Sequence, residues 1–337
     1  MRWLWTSRRA DARLARLALL PASGLWRTAT AARVEVYARG WLRSVDLALP
    51  TVAIGNLTVG GSGRTAVTLW AARHFLDAGV RPGVLLHDAR AAGNAMTHAL
   101  PHAIVVNDVD RAAAAARARA AGARVLVLDD AFQQLAISRA MNVAVVSAES
   151  ARAVSWALPA GPWRENRATG LGRADAVVIT RRRATPEAAE ALAAELRSAI
   201  EGPVAIAQLG LRQLQGLVSG SAQDATLLAG RRVVAATGSA DPDAFVAHVK
   251  ATGAAVQVAT WKDQDELRDA DVAWLAHAAR RADHVVITER DAVRLRDRWP
   301  ANVPEPLVAV LDLKWEDNGD AIAAGLDRVA AGTSHHL

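Results

Sequence analysis

The fold of this chain is decided by residues 54–67, IGNLTVGGSGRTAV, where a β-branched run ends in glycines and a helical pattern begins. Gly60, Gly61 and Gly63 allow the main chain to turn its amides inward around an anion, and the following helix brings its positive N-terminal end to the same place. Thr65 stands where a hydroxyl would coordinate Mg²⁺. The stretch therefore predicts a strand, a phosphate-binding loop and a helix.

The loop departs from the full nucleotide-binding pattern at two positions. Thr58 stands where that pattern has its first glycine, and Arg64 stands where it has lysine. Spacing alone leaves a tight turn without a ligand as the alternative. The flanking strand and helix favour phosphate binding, and they predict one set of nucleotide-binding residues: Gly60, Gly61, Ser62, Gly63, Arg64 and Thr65.

From residue 50 onward, short β-branched runs alternate with alanine-rich helical stretches. Strands at this spacing predict βαβ units and a parallel sheet. We expect a P-loop three-layer α/β/α sandwich with a mostly parallel sheet over residues 46–203. A second, smaller α/β domain is expected over residues 221–337. Residues 204–220 have two strand-like halves with no helix between them, which predicts a β connector.

Two carboxylates follow the buried run in RVLVLDDAFQQ, residues 124–134. Because Asp129 and Asp130 end a predicted parallel strand, they face the same crevice as the glycine loop, where the Mg²⁺ of a bound nucleotide needs oxygen ligands. A helix cap is the alternative for an aspartate in this position. The sequence predicts a metal site formed by Thr65, Asp129 and Asp130.

Composition excludes several classes of protein. A chain of 337 residues with 52% apolar content is large enough for two folded domains. It has no cysteine, so disulfides, thiolate metal sites and thiol nucleophiles are absent. The net charge of +6 suits an anionic partner, but only three of the 40 basic residues are lysines, which indicates a compositional bias toward arginine.

The N-terminal 45 residues are basic and rich in tryptophan. Leu14, Leu17 and Leu20 alternate with arginines at positions 8, 9, 13 and 16, which predicts an amphipathic helix on an anionic bilayer surface. The apolar runs are far shorter than the about 20 residues that a membrane span needs. An ordinary packing helix, a signal peptide and a nucleic-acid-binding arm are the alternatives. Because the basic residues cluster in this segment, we expect no nucleic-acid partner.

Eight segments of the chain, in order, carry a resemblance to a known family: GNLTVGGSGRT (55–65), RPGVL (81–85), VDRAAAA (109–115), LVLDDAFQQ (126–134), LPAGPWRE (158–165), GRADAVVIT (172–180), GSADPDAF (238–245) and ITERDAVRL (287–295). Together they resemble the tetraacyldisaccharide 4'-kinases, which use ATP to phosphorylate the 4'-hydroxyl of the lipid A precursor. The resemblance implies the cofactors ATP and Mg²⁺, a lipid A precursor disaccharide as substrate, and a peripheral position on the cytoplasmic face of the inner membrane. We expect a monomer.

The chain departs from this family where the family's acid and base stand. The family's GDEP segment falls on GNAM, so its aspartate is Asn94, and the family's DHH-like stretch falls on TWKDQDEL, which has no histidine. The family's DDGFQH appears as DDAFQQ, and its loop lysine is Arg64. The catalytic base is therefore unassigned. Two hypotheses follow: a lipid 4'-kinase with reduced activity, or a nucleotide-binding pseudokinase of the same fold.

The segment LPAGPWRE adds a candidate substrate residue. Its proline-bounded turn is suited to shaping a pocket, and Arg164 is available there to bind a substrate phosphate. A purely structural loop is the alternative. By the family resemblance, His87, Asp88 and His98 lie near the substrate region and are candidates for a replacement base, although lone loop histidines are commonly surface groups.

Overall fold

The protein is described here from a computed structural model, in which the chain divides into two compact units. Of the described residues, those up to 87, 96–209 and 313–332 belong to the first unit, and 210–312 belong to the second. The structure describes residues 4, 5, 7, 9–59, 63–87, 96, 97, 99–151, 156–238, 242–261 and 267–332.

The first unit begins with two helices, α1 (Ala10–Ala18) and α2 (Leu20–Ala38). Pro21 lies in the first turn of α2, where its missing N–H costs no helical hydrogen bond. No described helix is long and apolar enough to cross a membrane.

The exposed apolar side chains predicted for α1 are present, since Leu14 is 67% and Leu17 is 53% exposed. The prediction for Arg16 is wrong, because this side chain is buried instead of forming part of an exposed basic face. Its Nη1 donates to the carbonyl oxygens of Leu4 at 2.8 Å and Ser7 at 3.0 Å. Arg16 thus ties the chain before α1 to the helix, a long-range role that residue spacing cannot show.

The sheet of the first unit is parallel, with the order β7-β6-β5-β1-β4-β2-β3. From β1 the chain first builds β2 to β4 on one side and then β5 to β7 on the other. This topology opens a crevice outside the carboxyl end of β1, where ligands bind in open α/β sheets. The strands are β1 (Thr51–Asn56), β2 (Pro82–Leu86), β3 (Ile104–Asn107), β4 (Val125–Asp129), β5 (Met141–Ser147), β6 (Ala176–Arg181) and β7 (Val204–Gly216).

The remaining helices of the first unit cover its sheet. They are α3 (Arg64–Asp77), α4 (Arg111–Ala120), α5 (Ala148–Ala151), α6 (Arg167–Leu171), α7 (Pro186–Arg197) and α11 (Gly319–Ala330). Helix α3 follows β1 through the glycine loop, and its Phe75 is fully buried in a core with Val52 and Val143 of the sheet.

The last helix differs from the sequence expectation, which placed all of residues 221–337 in the second domain. Helix α11 buries Ile322 and Leu326 in the same core as Phe75 and Val67 of α3, so residues 313–332 belong to the first unit. The apolar spacing of α11 indicates that one face is buried, but it does not indicate which sheet receives that face.

The predicted connector also takes a different form. Its two strand-like halves are one continuous strand, β7, because Gly210 continues the strand instead of breaking it. The first half pairs parallel with β6, and the end pairs antiparallel with β8 (Ala222–Asp224).

The second unit is also α/β, with parallel strands in the order β10-β9-β11-β12. Its strands are β9 (Arg232–Thr237), β10 (Ala255–Thr260), β11 (His284–Thr288) and β12 (Leu307–Asp317), the last of which ends in the first unit. Its helices are α8 (Pro242–Lys250), α9 (Asp269–Ala279) and α10 (Glu289–Leu295). The α/β fold class predicted from the alternating pattern is confirmed.

Candidate functional site

The glycine loop meets helix α3 at Gly63, which has a φ of +73°. A Cβ atom at this position would lie 2.1 Å from Cδ1 of Leu209. Both the left-handed backbone and the lack of space require glycine here. Because α3 begins at Arg64, the free amides of its first turn lie at the carboxyl edge of β1, where they can bind an anion.

Arg64 contacts both predicted metal-binding carboxylates. Its Nε donates to Asp129 Oδ1 at 2.8 Å, and its Nη2 donates to Asp129 Oδ2 at 3.3 Å. Its Nη1 lies 2.7 Å from Asp130 Oδ1. The planar guanidinium therefore bridges the two aspartates, which a single ammonium group cannot do in the same way.

Asp129 is the last residue of β4 and is held from three directions. Beyond its pair with Arg64, its Oδ1 accepts a hydrogen bond from Thr68 Oγ1 at 3.0 Å. Its main-chain carbonyl accepts from Arg111 Nη2 at 2.7 Å. Burial lowers the pKa of Arg111, while Asp129 and Asp130 oppose that shift. Asp129 is thus a buried carboxylate with a fixed orientation.

Asp130 has a φ of +55°, a left-handed conformation that aspartate adopts more readily than most residues. Its side chain is partly exposed and also accepts from Arg164 Nη1 at 3.0 Å. Residues 130–140 form turns with no helix, so the helix-cap alternative for this pair is wrong.

The turns after Asp130 are held by Arg139. This side chain donates to Ala131 O at 3.1 Å, Gln134 O at 2.6 Å and Asn142 Oδ1 at 3.0 Å. Burial, and next the charge of Arg173, lower the pKa of Arg139 to about 10. Arg139 therefore remains charged at neutral pH and supplies donors for carbonyl groups that no sheet satisfies.

The segment 156–165 packs along the residues that lead into the glycine loop. Val59 N donates to Pro162 O at 2.7 Å, and Arg164 N donates to Leu57 O at 2.9 Å. These bonds place Arg164 beside Asp130. They bring together the loop end, the carboxylates and Arg164, which lie about 35 to 100 residues apart in the sequence.

The sequence prediction did not include a second polar network beside this segment. Glu165 is buried, and its carboxylate pairs with Arg173 at 2.9 Å. Gln133 Nε2 donates to Glu165 Oε1 at 3.2 Å and to Asn56 O at 2.9 Å. Glu165 and Gln133 both lie in segments that carry the family resemblance. The signal in the sequence that could have identified Glu165 was an acidic residue directly after Arg164.

A family model described as Tetraacyldisaccharide-1-P 4'-kinase matches residues 15–90 and 93–329 of the chain. The chain belongs to this family. A tetraacyldisaccharide 4'-kinase of Anaeromyxobacter dehalogenans is 35% identical over 94% of this chain and 91% of the relative. One of Phenylobacterium zucineum is 33% identical over 96% of this chain and 98% of the relative.

A solved structure shares the fold. It is described as the "apo" form of LpxK from Aquifex aeolicus in complex with ATP, and it matches with a TM-score of 0.71 at 21% identity. The match covers 94% of this chain and 99% of that one. The family resemblance read from the eight segments is confirmed, and the relatives are named as kinases.

The described part of the site is rich in arginine. Arg64 and Arg164 contact the carboxylates of Asp129 and Asp130, and Arg111 donates to the main-chain carbonyl of Asp129, so three guanidinium groups lie beside two carboxylates. The excess of positive charge favours an anionic ligand.

The structure brings together some of the predicted site residues. Arg64, Asp129, Asp130 and Arg164 contact one another, and Gly63 and Thr65 flank Arg64 at the start of α3. Six predicted residues lie outside the described part of the chain, namely Gly60, Gly61, Ser62, Asp88, Asn94 and His98. The TWKDQDEL stretch falls mostly outside it as well.

Proposed function

We propose that this chain transfers the γ-phosphoryl group of ATP to the 4'-hydroxyl of a tetraacyldisaccharide 1-phosphate, a step of lipid A biosynthesis. Family membership supplies the reaction class. The observation that carries the proposal is the contact of Arg64 with Asp129 and Asp130 at the N-terminus of α3. Phosphoryl transfer depends chiefly on positioning and charge neutralisation, and this site supplies both.

The nucleotide phosphates are proposed to bind at Gly60, Gly61, Ser62, Gly63, Arg64 and Thr65. Support comes from the left-handed Gly63 and from the free amides of the first turn of α3. Arg64 now pairs with carboxylates, so phosphate oxygens would compete with Asp129 and Asp130 for its guanidinium. The bidentate geometry of guanidinium suits phosphate as well as carboxylate.

The residues present fit a magnesium ion. Mg²⁺ prefers oxygen ligands and is commonly held by one or two carboxylates together with substrate phosphates. Asp129, Asp130 and the Thr65 hydroxyl supply oxygens only. No group of three or more histidine, aspartate or glutamate residues forms a metal site within the described part of the chain, and this binding mode does not need one. When bound, the ion would neutralise charge on the β- and γ-phosphates.

The protein's own side chains would then do the following. Arg64 would leave the carboxylates and hold phosphate oxygens, while Thr68 and Arg111 keep Asp129 in place. Arg164 would bind a substrate phosphate or keep Asp130 oriented. The attacking hydroxyl must lose a proton, and Asn94 cannot accept one. The base therefore has no assigned residue.

The N-terminal helices are proposed to lie on the cytoplasmic surface of the inner membrane. Support comes from Leu14, Leu17 and Leu25, whose apolar side chains are exposed. Leu14→Glu combined with Leu17→Glu should weaken sedimentation with anionic vesicles, while Leu227→Glu, at an exposed position of the second unit, should not. Equal sedimentation of both variants would contradict the proposal.

The kinase proposal is tested by transfer of labelled phosphate from ATP to a tetraacyldisaccharide 1-phosphate in detergent micelles. We expect a product phosphorylated at the 4' position, with a rate that depends on Mg²⁺. Nucleotide binding without any transfer would contradict the proposal and support a pseudokinase instead. Absence of nucleotide binding would contradict both.

A further inference from the structure

We propose that Ser23 and Trp26 of α2 are positioning residues for phosphoryl transfer, acting through the main chain of residues 157–164 on Arg164. This inference rests on the kinase function proposed above. It assigns to the N-terminal helices a role in the geometry of the site, separate from any attachment to a membrane.

Trp26 contacts the residue that carries the proposed substrate-binding side chain. Its indole Nε1 donates to the carbonyl oxygen of Arg164 at 2.7 Å. The amide of Arg164 in turn donates to Leu57 O at 2.9 Å. Both main-chain polar groups of Arg164 are therefore fixed, one by α2 and one by the residues that lead into the glycine loop.

Ser23 bridges the turn at the start of the same segment. Its Oγ donates to Ala157 O at 3.0 Å and accepts from Ala160 N at 2.9 Å. Trp5 adds a third bond, from Nε1 to Pro159 O at 3.0 Å. Three side chains of the N-terminal segment thus bind main-chain groups at both ends of residues 157–164.

Helix α2 buries little besides the serine that makes two of these bonds. All 19 of its residues are described, and Ser23 is the single buried one. Leu25, two residues further along the helix, is 73% exposed. A helix that buried an apolar stripe would be held without Ser23 and Trp26, whereas this helix meets the site segment through polar contacts.

Residues 157–164 link α2 to the charged side chains of the site. Arg164 Nη1 donates to Asp130 Oδ1 at 3.0 Å, next to the contact that Arg64 makes with the same oxygen. A shift of the Arg164 main chain would move this guanidinium away from Asp130. Small misplacements of such groups are costly in catalysis.

The direct test is Trp26→Phe, which removes the N–H donor and keeps an aromatic ring. Trp41→Phe is the matched control, because Trp41 lies in the same N-terminal segment and stacks with Arg39 instead of contacting residues 157–164. We expect kcat to fall about 3- to 10-fold in Trp26→Phe, the size expected for one lost hydrogen bond. The KM for ATP should change less than about two-fold, and Trp41→Phe should match the wild type.

A double variant tests whether Trp26 acts through Arg164. If Trp26 acts through the Arg164 side chain, Trp26→Phe should have no added effect on kcat in an Arg164→Ala background. An undiminished effect in that background, or equal kcat values for Trp26→Phe and Trp41→Phe, would overturn the inference. Ser23→Ala should behave as Trp26→Phe does.

Hydrogen exchange supplies a readout that does not need activity. Peptides covering 157–165 should exchange faster in Trp26→Phe than in Trp41→Phe, while peptides of β6 should exchange equally in both. Equal exchange of 157–165 would overturn the inference even in an active enzyme. A wild type without transfer activity, but with this exchange difference, would count against the kinase function and leave the coupling of α2 to Arg164 standing.

Discussion

Arg64 Nε lies 2.8 Å from Asp129 Oδ1 and forms a bidentate pair with that carboxylate. The residue that stands in the position of the family's loop lysine is therefore engaged by the strand-end aspartate. In this arrangement the charge of Arg64 neutralises the carboxylate on which a metal would bind. A phosphate group that binds Arg64 therefore has to replace the Asp129 carboxylate as its partner.

The first prediction concerns the two departures from the family pattern. Arg64→Lys restores a compact ammonium in the loop, and Asn94→Asp restores a group that can accept the proton of the sugar hydroxyl. Since each change repairs a different part of the same transition state, we expect the two together to raise the transfer rate more than either alone. A positioned base typically contributes about 10²- to 10⁴-fold.

Initial rates with labelled ATP and the tetraacyldisaccharide acceptor measure this effect. If the wild type is already fast and both substitutions slow it, the site has been rebuilt around Arg64. Asn94 would then not be the position of a lost base.

The second prediction separates the two aspartates. Asp130→Asn should weaken Mg²⁺-dependent ATP binding but change the free energy of unfolding by less than about 1 kcal/mol, because the ion pairs of Asp130 are partly exposed. Asparagine also tolerates its left-handed φ. Asp129→Asn should weaken binding and also cost about 1 to 3 kcal/mol, because its buried partners lose a charged acceptor.

Isothermal titration with and without MgCl₂ and urea unfolding measure the two effects. Thr65→Ala should resemble Asp130→Asn in the titration. ATP binding that is indifferent to all three substitutions would remove the proposed metal site.

The third prediction concerns the loop glycine. Gly63→Ala and Gly79→Ala place alanine at nearly equal φ values of +73° and +72°, so the backbone strain is similar, roughly 1–2 kcal/mol. Nothing lies within 4 Å of a Cβ at Gly79, while Cδ1 of Leu209 lies 2.1 Å from one at Gly63. We expect Gly63→Ala to cost about 1–3 kcal/mol more in urea unfolding. Leu209→Ala in that background should recover part of the loss, and equal costs for the two glycines would show that the site relaxes freely.

The fourth prediction concerns the second unit and pH. Burial raises the pKa of Asp291, despite hydrogen bonds from Thr288 and the amide of Gly238. The folded state therefore binds this proton more tightly than the unfolded state, whose aspartate has a pKa of about 3.9. The resulting stability is present below that value and is lost as pH rises through the raised folded pKa.

Asp291→Asn does not titrate. The free energy of unfolding of the wild type, relative to this variant, should fall as pH increases from about 3 toward neutrality. Chemical denaturation at several pH values measures the difference between the two proteins. A difference that stays constant with pH would show that Asp291 has no raised pKa.

Much of the fold was predictable because its signals are local. The β-branched runs of β1, β4 and β5 are fully or almost fully buried in a parallel sheet, and such strands appear in sequence as continuous apolar runs. The turn at Gly63 has a local cause as well, since its φ and the start of α3 belong to adjacent residues. Helix α11 was misplaced because its apolar face identifies a buried helix and not the sheet that buries it.

The candidate site was likewise predictable from the sequence only in part. The positions of Arg64 at the start of α3 and of Asp129 at the end of β4 followed from the order of strands and glycines. The pairing of Arg64 with both carboxylates did not follow, because Arg64 and Asp129 are 65 positions apart in the sequence. The buried Glu165–Arg173 pair and the burial of Arg16 did not follow either, because they join residues 8 to 12 positions apart that lie in different segments, and no helical or strand spacing brings such residues together.

By itself, the sequence determined the α/β fold class, the family and the residues that edge the crevice, because periodicity, turn chemistry and motif order are properties of neighbouring residues. Only the tertiary structure decided which charges neutralise one another there. It also decided that α2 holds Arg164 through Ser23 and Trp26. Hydrogen bonds and ion pairs of this kind depend on distances of a few ångströms between residues from 34 to 138 positions apart in the sequence, and no local pattern encodes those distances.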